Sequence, residues 1–323
     1  MTVEEWFERR SYDHSQFADL DSLARRKREL GMSVSVVLPA RETASTIGPI
    51  IDALRELERR EVLEQLLVVA ADSADGTAAV AAEKGAEVAL EHDLLPGFGP
   101  TLGKGDAMWR ALSVVRGDLV VYLDSDTTNF GAHFVSGLLG PLLEMPGVSF
   151  VKAAYGRPWP GGNGAGANDG GRVTELTAKP LLNLFYPELA GFAQPLAGEL
   201  AAPAALLRSI PFMTGYAVEI GMMIDVLAAA GLDAMAQVDL GTRRNSSRPL
   251  HDLSPMSFAV LRAVTRRLEQ AERFAVPAPD HDGAETSVDY VHAVRSGDAL
   301  TLATHPVELV ERPPLSGVLL GAR

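Results

Sequence analysis

Asp124-Ser125-Asp126 stands directly after the apolar run LVVYL (119–123). Two carboxylates alternating along extended backbone at the carboxyl end of a strand can hold a hard divalent cation that also coordinates a diphosphate. The same pair also occurs as a plain solvated turn, so its company decides. Lys104 lies in a Gly-Lys-Gly turn ahead of a helix, where a cation and free backbone N–H groups can meet phosphate. Taken alone, it equally reads as a surface lysine. Asp72-Ser73 closes a second apolar run and reads as a nucleoside corner, or as an Asx turn before Asp75-Gly76.

A second group of residues suits an anion. Gly171-Arg172-Val173-Thr174 combines a flexible backbone, a guanidinium and a hydroxyl at a helix start, all of which favour a phosphate or carboxylate. A capping-box-like start with Arg172 solvated is the alternative. The turn 243–248 (RRNSSR) places Arg243, Arg244 and Arg248 within six residues of an otherwise acidic chain, beside Asn245. Glu219 sits among Tyr216, Val218, Ile220 and Met222 at the start of an apolar helix. There it is desolvated with a raised pKa, holds a hydroxyl, or complements the helix dipole. Among the histidines, His251 next to the basic turn is the candidate metal ligand, ahead of His92 and His133.

Short β-branched runs at 34–40, 65–71 and 118–124, with a further run at 86–90, predict strands buried on both faces. Helical patterns at 45–60 (capped by Ser45), 75–84 and 105–116 alternate with them, which predicts an open, mostly parallel α/β sheet. Residues 4–31 read as a helical arm whose apolar side could dock on a partner subunit. The second half is expected to hold strands at 149–155 and 235–240 and helices near 173–189, 203–209, 216–230 and 254–274. Residues 160–171 are too glycine-rich for a regular element and predict a mobile loop; the final ~45 residues predict a partly ordered tail.

Several chemistries are excluded. The 323 residues carry 42 acidic and 29 basic side chains, a net charge of −13, which disfavours duplex nucleic acid. No cysteine is present, so disulfides, thiolate metal sites and Cys nucleophiles are absent. The first strand–helix turn, LPARETASTI, has no glycine before Gly48, against a dinucleotide fingerprint. GFGPTLGKGD (97–106) fails as a P-loop: Gly99 to Gly103 is one residue short, and Gly105 stands where Ser or Thr would bind Mg2+. Neither a G-x-S-x-G elbow nor H-E-x-x-H occurs. Without a ~20-residue apolar span or the apolar core of a secretion signal, the expectation is a cytoplasmic protein without a membrane partner.

The order of several motifs carries more than any one of them. The strand–Pro-Ala turn, DSADGT (72–77), GKGDAMWRAL (103–112), DSD (124–126) and GGRVTEL (170–176) are followed by PLAGE (195–199), GYAVEIG (215–221) and AQVDLG (236–241). Over roughly residues 33–265 this set resembles the actinobacterial glucosyl-3-phosphoglycerate synthase family and its mannosyl-3-phosphoglycerate-forming relatives. The resemblance implies a retaining glycosyltransferase of GT-A fold, usually a homodimer, that uses Mg2+ or Mn2+. Such an enzyme moves a hexose, glucose first among the choices, from a nucleotide sugar to the 2-hydroxyl of 3-phospho-D-glycerate. It divides the chain into an N-terminal arm (1–32), a nucleotide-sugar-binding part (33–148), an acceptor-binding part (149–275) and a tail (276–323).

By the same resemblance, Pro39, Ala40 and Ser73 line the nucleoside pocket. Lys104, Asp124, Ser125 and Asp126 meet the donor, with Asp126 on the metal. Gly171, Arg172, Thr174 and Arg243 bind the acceptor, and Glu219 faces the sugar or the acceptor. Two departures stand out. Arg41-Glu42 replaces the family's Asn-Glu pair, which leaves the donor nucleotide open among uridine, guanosine and adenosine. The family's ligand histidine in the turn after AQVDLG is missing; Asn245 or His251 takes its place, or metal dependence and acceptor have changed. The implied mechanism is front-face substitution at the donor sugar. The alternatives are a transferase with another donor or anionic acceptor, a sugar nucleotidyltransferase, and a non-catalytic nucleotide-sugar-binding subunit.

Overall fold

A computed structural model describes residues 1–158, 170–245, 249–273, 287–296 and 299–320. In chain order the elements begin with α1 (Val3–Arg10), β1 (Ser11–Asp13), α2 (Leu20–Glu29), β2 (Val34–Ala40), α3 (Ala44–Arg59) and β3 (Gln65–Ala70). Next come α4 (Thr77–Glu83), β4 (Glu87–Leu90), α5 (Lys104–Ala111), β5 (Leu119–Tyr122), α6 (His133–Glu144) and β6 (Phe150–Gly156). The second half holds α7 (Lys179–Phe185), β7 (Leu200–Pro203), α8 (Ala204–Ser209), β8 (Phe212–Met213), α9 (Val218–Ala230), β9 (Met235–Thr242) and α10 (Leu253–Gln270). The chain closes with β10 (Ser287–Ser296), β11 (Ala299–Glu308), β12 (Glu311–Arg312) and α11 (Leu315–Leu320).

Eight strands form one sheet in the order β1-β9-β6-β7-β5-β2-β3-β4. All pairings are parallel except those of β7, which runs antiparallel between β5 and β6. The expected α/β class is what forms. Alternation along each strand splits the core into two layers. Val36, Leu38, Val68 and Val121 face one side, under α2, α3 and α6. Val37, Leu67, Val69, Val120 and Tyr122 face the other, toward α5, α9 and α10. Each such side chain, fully buried, contributes about 1.5–3 kcal/mol of transfer free energy.

Several expectations need correction. The N-terminal stretch is not helical throughout: β1 pairs in parallel with β9, and Trp6 is fully buried with its indole N–H donating to the Met235 carbonyl at 2.8 Å. Helix α3 starts at Ala44 behind Thr43 rather than at Ser45, and no side-chain bond caps it. The single helix expected over 173–189 is broken into a π-helical turn (Thr174–Ala178), α7 and a 3-10 turn (Pro187–Leu189). Pro180 has no N–H to donate back to Leu176, and the Lys179 N–H reaches the Thr174 carbonyl instead. Residues 309–315, within the stretch expected to be a partly ordered tail, are packed onto the body of the fold. β12 pairs with β8, and Arg312 is buried against Asp106, donating at 2.9 and 2.7 Å. Most of the glycine-rich run 160–171, and residues 246–248 of the basic turn, lie outside the described residues. No described helix is long and apolar enough to cross a membrane.

Candidate active site

Four side chains converge beyond the carboxyl end of β5. Asp124 lies two residues past β5, and Lys104 opens α5. Glu219 lies in the first turn of α9, and Arg243 follows β9. The Gly-Lys-Gly motif explains how α5 gets so close to β8. A Cβ built on Gly105 would lie 2.0 Å from the Met213 carbonyl oxygen, so only glycine lets the helix start pack there. Lys104 then donates from one ammonium to both Asp124 Oδ1 and Glu219 Oε1, the latter at 2.8 Å.

Arg243 is the second cation and is 3% exposed. Its Nη2 donates to Asp124 Oδ2 at 3.0 Å and to Asp126 Oδ1 at 2.6 Å, while Nε donates to Thr127 Oγ1 at 3.0 Å. Asn245 Nδ2 donates to Asp126 Oδ2 at 3.3 Å, and Arg157 reaches the Asn245 amide oxygen at 3.4 Å. Burial alone would push the Asp124 carboxyl up, but Lys104 and then Arg243 outweigh it and hold it well below the usual range. For Lys104, burial opposes the charge, yet Asp124 and Glu219 keep the ammonium above its ordinary value. Of the two aspartates, Asp126 is the open one, its side chain 40% exposed against 19% for Asp124.

The remaining residues expected in the site sort by position. Pro39 and Ala40 end β2, and Ser73 accepts a hydrogen bond from the Glu42 N–H at 3.1 Å, so the three residues expected at the nucleoside lie together at and just beyond the ends of β2 and β3. Ser125 is buried and its hydroxyl donates to the Pro39 carbonyl at 3.0 Å, tying the aspartate loop to β2. Gly171 and Thr174 stand at the start of the π-helical turn, Thr174 buried. Arg172 lines a groove of about 210 Å³ with Leu176, Leu250 and Phe258. His251 sits on a separate turn, 70% exposed and paired with its neighbour Asp252 at 3.1 Å. Asn245, rather than His251, is the residue set against Asp126.

Four contributors escaped the sequence reading. Glu199 is 1% exposed, with Oε1 2.8 Å from Arg243 Nε and Oε2 accepting from the Tyr155 hydroxyl at 2.9 Å. Burial pushes the Glu199 carboxyl up, opposed by Arg243. Lys152, fully buried in β6, donates to the Ala197 carbonyl, and burial lowers its pKa to about 8. Gln194 stands close to Gly171 with a buried amide oxygen that receives no hydrogen bond. PLAGE was the available signal, since Gly198 and Glu199 both lie in it: a Cβ on Gly198 would fall 2.2 Å from Asp124 Oδ1 and 2.3 Å from Lys104 Nζ.

Chemically, the arrangement is an oxygen-rich recess with two fixed cations. Among the described residues no three His, Cys, Asp or Glu side chains are grouped to cage a metal. One open carboxylate beside an amide is nevertheless the donor set that suits Mg2+, which keeps several waters and binds through one or two carboxylates plus substrate phosphates. The residues fit such an ion shared with a diphosphate.

Comparison with known proteins agrees with this chemistry. Residues 35–161 match the Glycosyl transferase family 2 profile. The glucosyl-3-phosphoglycerate synthase of Petrotoga mobilis is 36% identical over 95% of this chain and 93% of its own length. The chain belongs to the glucosyl-3-phosphoglycerate synthase family. It is thereby a glycosyltransferase. Two solved structures are similar to it over nearly its whole length. A mannosyl-3-phosphoglycerate synthase from Rubrobacter xylanophilus is 58% identical, with a TM-score of 0.88 and coverage of 98% of both chains. A glucosyl-3-phosphoglycerate synthase from Mycobacterium tuberculosis, in complex with Mn2+, UDP and phosphoglyceric acid, is 38% identical. Its TM-score is 0.80, over 93% of this chain and 95% of that one.

Proposed function

We propose that this chain transfers a hexose from a nucleotide sugar to the 2-hydroxyl of 3-phospho-D-glycerate, with retention and with Mg2+ or Mn2+. One observation carries the reading. Lys104 bridges Asp124 and Glu219 in a recess where Asp126 stays open, within a chain 36–58% identical to synthases of this class. Asp126, with Asn245 beside it, would hold the ion, which when bound supplies positive charge to the departing diphosphate.

The chain's own residues do the rest. Lys104 presents a fixed ammonium to the leaving phosphate, already charged in the resting site and so without reorganisation. Glu219 sits across that ammonium from Asp124, where its carboxylate can accept a sugar or acceptor hydroxyl. Arg243 is the organiser of Asp124 and Asp126, and its burial leaves Arg157 and Arg172 as the cations nearer the acceptor's anionic groups. Held this way, the acceptor hydroxyl attacks on the leaving-group side, and the departing phosphate takes its proton. No protein nucleophile is needed.

Glucose is the first choice of hexose. Mannose is the second reading, favoured by the 58% identity to a mannosyl-3-phosphoglycerate synthase. We also propose a homodimer formed through exposed apolar side chains of the second half, Leu176, Leu184 and Leu250 being 74%, 71% and 63% exposed. A cytoplasmic location is part of the same proposal.

The test is a matrix of UDP-glucose, GDP-glucose, GDP-mannose and ADP-glucose against 3-phosphoglycerate, glycerate and glycerol 3-phosphate, with and without Mg2+. The expected result is nucleoside diphosphate and a hexosyl-phosphoglycerate by mass. Pyrophosphate release would identify a nucleotidyltransferase. Donor binding without turnover on any acceptor would identify a binding subunit.

A further inference from the structure

Arg243 grips the two aspartates that a divalent ion must also reach, so whatever shares its charge decides how available they are. The PLAGE segment supplies that sharer. Glu199 is 1% exposed and lies with Oε1 2.8 Å from Arg243 Nε, yet Oε1 receives no hydrogen bond, because the Nε proton is directed to Thr127. A buried acceptor left unsatisfied calls for a reason. Its contact with the guanidinium is one of charge rather than of hydrogen bonding. The carboxylate is also fixed in place. Oε2 is held by the Tyr155 hydroxyl at 2.9 Å, and the Glu199 carbonyl is held by the Ala153 N–H at 3.1 Å.

We propose that Glu199 is a positioning residue for the ion site, dividing the charge of Arg243 so that Asp126 remains able to take a divalent cation. The inference rests on the metal-dependent reading above. One guanidinium charge serves three carboxylates: Asp124, Asp126 and Glu199. Without Glu199 the whole charge falls to the aspartates. An incoming cation is then repelled more strongly and meets lone pairs more tightly occupied.

Glu199→Gln tests this, since the amide keeps the shape and still accepts from Tyr155. Mn2+ binding to the full chain, read from the free-ion paramagnetic resonance signal, is expected to weaken about tenfold. The Mg2+ dependence of turnover moves to higher concentration by a similar factor, so that added Mg2+ relieves the loss. Tyr155→Phe keeps the charge but frees the carboxylate, and shifts Mn2+ affinity in the same direction by less. An unchanged Mn2+ affinity in both variants, with rate and thermal stability lowered at every metal concentration, means a purely structural role and overturns the proposal. A wild-type chain that takes up no Mn2+ overturns the metal-dependent reading together with it, which tells the two failures apart.

Discussion

Helix α5 carries a buried ion network on either side of its first turn. On one side Lys104 joins Asp124, Glu219 and, through Asp124, Arg243. On the other, Asp106 receives five hydrogen-bond contacts, from Arg110, Arg312 and the Leu102 N–H. Arg110 in turn donates to the carbonyls of Leu94, Leu95, Gly99 and Pro100. Asp106 and Arg110 are completely enclosed, and every lone pair in reach is used. The Lys104 network instead has an open member in Asp126 and an unsatisfied one in Glu199 Oε1. A finished network rigidifies, whereas an unfinished one holds valence in reserve for a ligand. Two side chains of opposite charge, two positions apart on one helix, thus anchor a closed network on one side and an open one on the other.

The sharpest way to break this contrast is Asp126→Ala. Turnover should fall by about 10³-fold or more, while the melting temperature stays within about 2 °C. Near-normal turnover would remove Asp126 from the chemistry. Gly198→Ala follows in size. The added methyl collides with Asp124 and Lys104, so kcat should drop about 100-fold; a variant with wild-type kcat would show that the pair has room to move. Asp106→Asn probes the closed network and should reverse the pattern. It leaves Arg110 and Arg312 uncompensated, lowering unfolding free energy in denaturant titrations by about 3–5 kcal/mol. Loss of activity without loss of stability would make this network functional after all.

The smallest effect comes from Lys152. Its folded pKa, lowered by burial to about 8, lies below the ordinary lysine value of 10.5. Below pH 8 the folded chain bears the full penalty of a buried ammonium. Between about 8 and 10.5 the unfolded chain binds more protons, so stability rises with pH across that window. Lys152→Met removes the penalty. Its melting temperature relative to wild type should be most favourable at pH 7 and decline by a few °C toward pH 10. A difference that is flat or grows with pH would place the lysine in a wetter setting.

The parallel half of the sheet was plain from pattern, because β2, β3 and β5 are short apolar runs whose only buried polar side-chain groups belong to Ser35, Gln65 and Tyr122. The polar residues after strand ends, Asp124, Asp126, Arg243 and Asn245, were singled out for the related reason that strand ends are where ligands bind, and Lys104 because it opens a helix beside them. Lys152 and Glu199 were not. A lysine inside FVKAAY gives no sign of being fully enclosed, and β7 is four residues with two alanines, below what periodicity detects. β12 was hidden similarly: two residues in a Pro-punctuated stretch, ordered by one arginine's reach to Asp106. In each case the deciding contact is with a partner far along the chain, which no local window contains.

Arg312 follows Asp106 by 206 residues, and Trp109 donates to the carbonyl of Pro313 across 204. At about 5–20 residues per second on the ribosome, α5 waits roughly 10–40 s for these contacts. During that interval the Asp106 carboxylate lacks two of its bonds, and the helix that presents Lys104 has no floor on that side. The helix start that carries Lys104 is therefore synthesised well before the residues that brace it. Nascent chains stalled before residue 309 should be cut by protease around α5, at sites that become protected once Arg312 has emerged.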